Sequence, residues 1–417
     1  MRKVIFLFLL LLYSYLSWAI ESWAIEKQKS IREFDVLPEN TAATNAINLQ
    51  KAIDWSTQHG ASLFVEPSDE PYPMEGGIIL KKNVSLIGVH GPTARGTVNP
   101  SKKQPVGSVF KITDEKNVLI TVETATQIKG IQFWYPEQTI KDPKVIIPYP
   151  ATIQTSKTSS THGVYLSSLT FYGEYLAMDF NADRENISEL MLIEDWYGYP
   201  LSGEFIRINY CYDIPRLLHC HVNPAIQRFI GGQYSSAVVD AVIAKKSFAF
   251  SINNTDNAQL MDVFTFGTYG GIFLGGDSYG QLTNFNFDCV AVGIHMKDNN
   301  TFNRNWQIAQ GSIISNSGEP VENLHPIIIE GEGHTSLSNV EAFSGGNAAH
   351  TTVPENNSWD FMEVRGDNKL TVTFFGSRMR NYVSDEPITV KNKNAIIQAV
   401  ACVDKNENLY NRKINGK

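Results

Sequence analysis

The chain has 417 residues, 42% hydrophobic and 19% charged, with 43 acidic against 35 basic side chains and a formal net charge of −8. That balance lacks the basic footprint of a nucleic-acid binder, and it repels a polyanionic glycan at long range unless a local basic patch or a bridging cation intervenes. Four cysteines are too few to staple a chain of this length, so the fold must rest on a large hydrophobic core.

Arg2 and Lys3 precede the apolar run "VIFLFLLLLYSYLSWAI" and the tandem "SWAIESWAIE". Basic residues, an apolar stretch and a small-residue site in that order read as a secretory signal cut after Ala19 or Ala24. The expectation is that residues 1–24 are removed and that the mature protein is secreted or periplasmic. A retained anchor is the alternative, because the run from Val4 to Ile20 is little shorter than the roughly 20 residues of a membrane span. Cleavage would take away Arg2, Lys3 and Glu21 and move the formal charge to −9. No later segment is long and apolar enough to cross a bilayer, so a soluble mature chain without a membrane partner is expected.

Next comes "NTAATNAINLQKAIDWSTQHG", where Ala43, Ile47, Leu49 or Gln50, Ile53 and Trp55 fall on a roughly helical repeat. Asn40 or Thr41 is the expected cap and Gly60 the stop. "ASLFVEP" follows as a strand closed by Pro67. A short helix of this kind suits a plug over the first turn of an open-ended stack, whose strand edge would otherwise be bare.

Beyond residue 60, short runs rich in Val, Ile, Phe and Thr are broken by Gly and Asn: "NVSLIGV", "VLITV", "IKGIQFWY", "GVYLSSLTFYG", "GQLTNFNF", "LTVTFFGS". Such runs read as strands of an all-β protein. An apolar-x-x-apolar-x-apolar pattern starts at Ile128, Leu166, Ile187, Leu217, Val239, Leu260, Leu282, Ile308, Leu337 and Leu370. Its spacing is most even from Leu217 to Ile308, and a period of 20–30 residues implies coils stacked on coils. The expected fold is therefore all-β, a right-handed parallel β-helix with a short N-terminal capping helix. Its parts are expected as a signal (1–24), a cap of helix and first strands (25–83), the β-helix (84–403) and a C-terminal tail (404–417).

The repeat assigns faces, since residues alternate in and out along a strand. One outward column is predicted as Glu189, His219, Ala241, Asp262, Asn284, Gln310 and Asn339. A second is predicted as Met191, His221, Ile243, Phe264, Asn286, Ser312 and Glu341. In "YDIPRLLHCHVNPA" this puts His219 and His221 outward and Cys220 inward. Glu189, one coil away and about 4.8 Å from His219, would orient or protonate its ring. Glu189, His219, His221 and Asp262 form the predicted acid–base floor, with Arg216 or His219 as the base if the chemistry is elimination from a uronate. Glu189 and Asp262 would stand about 14 Å apart, beyond the roughly 6.5–9.5 Å of an inverting pair, so Asp195, Asp240 or Asp288 would supply a partner. Spacing places no third ligand beside the two histidines, so no metal is expected.

Aromatic rings beside a carboxylate suit sugar stacking. "IQFWYPEQTIKDPKVIIPYP" offers Trp134, Tyr135 and Glu137, and "EDWYGYPLSGEF" offers Trp196 and Tyr197. These residues, with Asn284, are the predicted sugar contacts, on two loops walling one groove.

The opening segment "IREFDVLPENTAATNAINLQKAIDWSTQHGASLFVEPSDEPYPMEGGIILKKNVSLIGVHGP" resembles that of the pectate-lyase-like single-stranded right-handed β-helix proteins, which include polygalacturonase-related and rhamnogalacturonase-type glycan enzymes and phage tailspikes. Phe34, the helix from Thr44 to Ile53, the strand Phe64 to Pro67 and Val84 to Gly88 carry the likeness, while "VLPEN" departs from the usual Gly-Asp-Gly turn. The resemblance implies the fold, and an exported protein that binds and cleaves a polysaccharide by hydrolysis or elimination. Its alternative implication is a non-catalytic adhesin or tailspike-like stalk. No cofactor is expected, or calcium if the protein is a lyase; the partner is a polysaccharide, and the chain a monomer, or a homotrimer if adhesin-like. "NTD" at Asn254 to Asp256 and "FDCVAV" at Phe287 to Val292 echo polygalacturonase motifs, but their Gly-His-Gly and Arg-Ile-Lys companions are absent.

Overall fold

A single turn of this chain is too small to bury its own apolar side chains, and the strand register shows how stacking buries them. The computed structural model describes residues 28–89, 97–99, 101–180, 182–298, 305–315, 323–343 and 359–416; residues 1–24, expected as a signal, lie outside them. Leu63 pairs with Leu86 and Leu86 with Ile128, and the column runs on through Leu166, Ile193, Leu217, Leu260, Leu282, Ile308 and Leu337 to Phe374. A second sheet has its own column: Ile78, Ile120, Ile153, Met178, Ile206, Phe250, Ile272, Ile294, Ile327, Met362 and Ile388. No member of either column is more than 5% exposed. At about 1.5–3 kcal/mol per buried aliphatic side chain, these two stacks are the main source of stability. The architecture is the right-handed parallel β-helix the sequence predicts.

Three frames of the predicted repeat are corrected by this register. Ile187 lies just before a short strand of the second sheet, and Ile193 is the true neighbour of Leu217. Val239 belongs to an α-helix, Ser236–Ile243, inserted between coils and capped by Ser235; its Val-Val-x-x-Val-Ile spacing fits a helical face as well as a strand. Leu370 pairs with Gly333, four residues upstream of the expected register, so Phe374 takes the inward place. Ala241 and Ile243 therefore leave the outward columns, as does Met191, which is buried.

At the N-terminus the helix is Ala42–His59, with Thr41 as its cap and Gly60 at φ 61° as its stop. Its buried face is Asn45, Leu49, Ala52, Ile53 and Ser56 rather than the predicted Ala43 and Ile47. Asn45 earns its inward place by bridging backbone: its Oδ1 accepts from Leu37 N at 2.9 Å and its Nδ2 donates to the carbonyls of Leu37 and Pro73 at 2.8 and 2.9 Å. At the other end, Leu409–Asn415 returns antiparallel along Ala395–Val403, so part of the expected tail covers the last edge. Cys211, Cys220, Cys289 and Cys402 are all free and buried.

Candidate functional site

From Ile128 onward, the backbone turns left-handed two residues beyond each inward position of the first sheet. Gly130, Ser168, Asp195, His219, Asp262, Asn284, Gln310, Asn339, Gly376 and Ala401 occupy this bend on successive coils, all with φ between 51° and 69°. Gly, Asn, Asp and His are the residues that tolerate this conformation most readily. The polar column read from the sequence thus has a structural cause before any functional one.

The next outward column lies past the bend. Tyr197, His221, Phe264, Asn286, Ser312 and Glu341 stand side by side on successive coils. Their first members stack: Tyr197 on His221 with ring centroids 4.7 Å apart, and His221 on Phe264 at 4.4 Å. Between bend and column lies a trough of about 480 Å³ lined by His221, Asp262, Phe264, Asn284, Asn286, Gln310, Ser312, Asn339 and Glu341. Its lining carries no lysine or arginine. Among the described residues, Arg380 and Arg378 approach it, meeting Glu341 at 3.1 and 3.7 Å.

Of the predicted floor, His221 and Asp262 line the trough, together with the predicted sugar contact Asn284, and His219 stands on its ridge with Nδ1 2.7 Å from Asp262 Oδ2. Glu189 is the clear miss. It sits on the second sheet, opposite Tyr212, and its carboxylate meets His162 Nδ1 at 2.8 Å. Asp195, accepting from Ser168 Oγ at 3.0 Å, occupies the rung beside His219 instead. Arg216 precedes the bend, so it faces away from the trough, and its guanidinium donates to Ile214 O at 3.3 Å. Burial raises the carboxyl pKa of Asp288, two residues past Asn286, and that of Asp240 on the inserted helix.

The predicted aromatic walls are largely core. Trp196 is 1% exposed, donates Nε1–H to Leu166 O at 3.2 Å and packs on Phe171 and Phe205. Tyr135 is buried against Tyr149, with its hydroxyl 2.7 Å from Thr152 Oγ1. Tyr197 is buried beneath His221 and supports the stack without facing solvent. Trp134 borders a separate hollow with Glu70, Gln104 and Lys111, and Glu137 is exposed; neither lines the trough. A strand that is apolar on both sides reads as a run of exposed aromatics when a second layer covers it, which is the signal the sequence could not separate.

A wider hollow of about 770 Å³ near the N-terminus includes Arg32, Glu39 and Glu70. Its one arginine is already engaged by Tyr72 and Glu66 at 2.9 and 3.4 Å, which leaves little chemistry free.

Apart from "VLITV" and the misplaced Ile187 frame, the pattern read from the sequence follows the first sheet and does not reach the outer side of the second. On its outer side a cleft of about 580 Å³ is lined by Phe248, Tyr269, His295, His325, Trp359 and Glu363, among others. His295 Nε2 meets Glu330 at 2.9 Å, and burial holds the imidazole pKa below its usual value. His325, Asp360 and Glu363, separated by 35 and 3 residues, place one ligand atom each within 4.8 Å of one another. Strands here read as unbroken apolar runs such as "HPIIIEG", so no alternation flagged their few polar members.

No family model matches the chain, and no curated protein matches its sequence. Solved structures do match. The DFA-IIIase from Arthrobacter chlorophenolicus A6 superposes with a TM-score of 0.55 at 10% identity, covering 93% of this chain and 97% of that one. The same enzyme without its lid, in complex with GF2, gives 0.50 at 9% identity over 93% and 97%. A hyperthermoactive exopolygalacturonase from Thermotoga maritima gives 0.46 at 12% over 94% and 95%. At such identity the likeness is one of fold, and it agrees with the register: the chain is a single-stranded right-handed parallel β-helix, the fold implied by its pectate-lyase-like opening segment.

Proposed function

We propose that this chain is an exported, monomeric polysaccharide hydrolase that holds an uncharged glycan along the trough of the first sheet. The observation that carries the reading is the lining itself. Asn284, Asn286, Gln310 and Asn339 offer paired amide donors and acceptors to sugar hydroxyls, and the His221–Phe264 stack offers an apolar shelf to a pyranose face. Asp262, braced by His219, is the proposed proton-accepting group. Among the described residues the lining carries carboxylates and no lysine or arginine, and the neighbouring Arg378 and Arg380 are already paired with Glu341, which disfavours a uronate chain and the neutralised carboxylate that elimination requires. The likeness in fold to the DFA-IIIase is compatible with this reading.

One observation favours a second reading, binding without cleavage. Asp262 and Glu341 line the same trough but stand three rungs apart, about 14 Å at strand spacing, which exceeds the range of a hydrolytic carboxylate pair. The test is a panel of neutral and uronic polysaccharides incubated with protein lacking residues 1–24, with and without calcium, read for new reducing ends and for ultraviolet-absorbing unsaturated products. Reducing ends from a neutral glycan without unsaturated product support the hydrolase. Retention on a glycan with no new ends supports the binding reading, and unsaturated product from a uronate overturns both.

A further inference from the structure

Away from the trough, two carboxylates and an imidazole share a buried pocket on the second sheet. Asp360 is 0% exposed, Glu363 1% and His325 5%. Strand register brings them together: His325 opens the strand His325–Gly331, Glu363 lies on the next strand, Met362–Arg365, and Asp360 sits just before it. His325 Nδ1 is 3.0 Å from Asp360 Oδ1, and its Nε2 is 3.9 Å from Glu363 Oε2.

The cations around this group are shared unequally. Glu363 is met by Arg365 and by Lys391 at 3.0 Å. Asp360 meets only the imidazole, and its Oδ2 has no hydrogen-bond partner. A fully buried carboxylate oxygen without a partner costs several kcal/mol unless positive charge reaches it. Lys391 is 61% exposed along its side chain and can swing into solvent at little cost.

We infer that His325, Asp360 and Glu363 form a binding site for a divalent transition-metal ion of the zinc type, open to the cleft of the second sheet. One imidazole nitrogen and two carboxylates suit zinc, cobalt or manganese, whereas imidazole is a poor ligand for calcium. His325 and Glu363 also line the cleft beside His295 and Tyr269, so the bound ion faces a space large enough for a small oxygen-bearing ligand. The site is independent of the proposed trough and of any glycan.

The test loads chelator-stripped protein with Zn²⁺, Co²⁺ or Ca²⁺ alone, followed by dialysis and elemental analysis, with the visible bands of Co²⁺ as a second readout. One Zn²⁺ or Co²⁺ per chain and no retained Ca²⁺ is the expected result. Asp360→Asn and Glu363→Gln should each weaken Zn²⁺ binding by about tenfold or more. Removing a buried charge can also impair folding, so Lys391→Met provides the complementary arm: deleting the cation that competes for Glu363 should tighten Zn²⁺ binding several-fold. Failure of the wild-type protein to retain Zn²⁺, or equal retention by Asp360→Asn, overturns the site in favour of a hydrogen-bonded imidazole–carboxylate pair.

Discussion

His219 and Asp262, 43 residues apart in the chain, meet across neighbouring coils with Nδ1 2.7 Å from Oδ2, and both sit on left-handed backbone. At 61% and 51% side-chain exposure the pair is screened by water and adds no more than about 1 kcal/mol to stability. Its value lies in fixing where the Asp262 carboxylate points. His219→Ala should therefore fold and unfold within about 1–2 kcal/mol of wild type, the larger part from alanine's poor fit to the bend. If Asp262 acts on substrate, the same change should cut turnover by roughly 10–100-fold through misorientation. Circular dichroism with a reducing-end assay checks both, and full activity in His219→Ala removes the pair from the reaction.

The bend column gives a prediction of stability without reference to function. Gln310 holds φ at 54° with a long side chain, where its neighbours Asn284 and Asn339 have asparagine. Gln310→Asn should stabilise by about 0.5–1 kcal/mol, and Gln310→Val should destabilise by about 1–3 kcal/mol, because a β-branched residue is strained on left-handed backbone. Denaturant midpoints would check the order Asn, Gln, Val; a valine variant as stable as wild type would show that this bend relaxes freely.

How much of this was legible follows from the same column. Leu260, Leu282, Ile308 and Leu337 are legible because those coils carry few insertions between them, so apolar spacing and register coincide, whereas Leu217 meets Leu260 across an inserted helix. Ile187 and Val239 misled because an apolar triplet before a short strand, or on an inserted helix, satisfies the same pattern. With those frames displaced, Glu189 is read as the neighbour of His219, and Asp195, named only as one of three candidate partner carboxylates, is not given that rung. From Asp262 onward the predicted columns coincide with the register because the frames of those coils do. His325, Asp360 and Glu363 were invisible for another reason: their meeting depends on a crossover of more than thirty residues and on loop placement that periodicity does not encode.

For sugar binding, the ring stack makes a sharper claim than the amides do. Phe264 is half-buried, stacked on His221 of one neighbouring coil and flanked by Asn286 of the other. Phe264→Ala should weaken retention on a glycan matrix by about 1–2 kcal/mol, or roughly five- to thirtyfold, whereas Phe264→Tyr should retain most of the affinity. Affinity electrophoresis in the responsive polysaccharide measures both, and equal migration of the alanine variant and the wild type would take the shelf out of the binding site.

Glu174 provides a pH test of the core. It is 0% exposed and enclosed by Gly198, where any β-carbon would strike its Oε1 and the ring of Phe205. No hydrogen bond of ordinary geometry reaches either oxygen, and burial lifts its pKa well above the usual 4.5, tempered only in part by backbone N–H groups. A raised folded-state pKa means that the folded chain holds this proton more tightly than the unfolded chain. Its contribution to stability is complete below pH 4.5 and is lost as the pH climbs towards the folded-state value. Glu174→Gln keeps the shape without the titration. The thermal midpoint of the variant should stay near that of wild type at pH 4 and exceed it by several degrees at pH 8. A gap that is the same at both pH values would mean that Glu174 does not change protonation on unfolding.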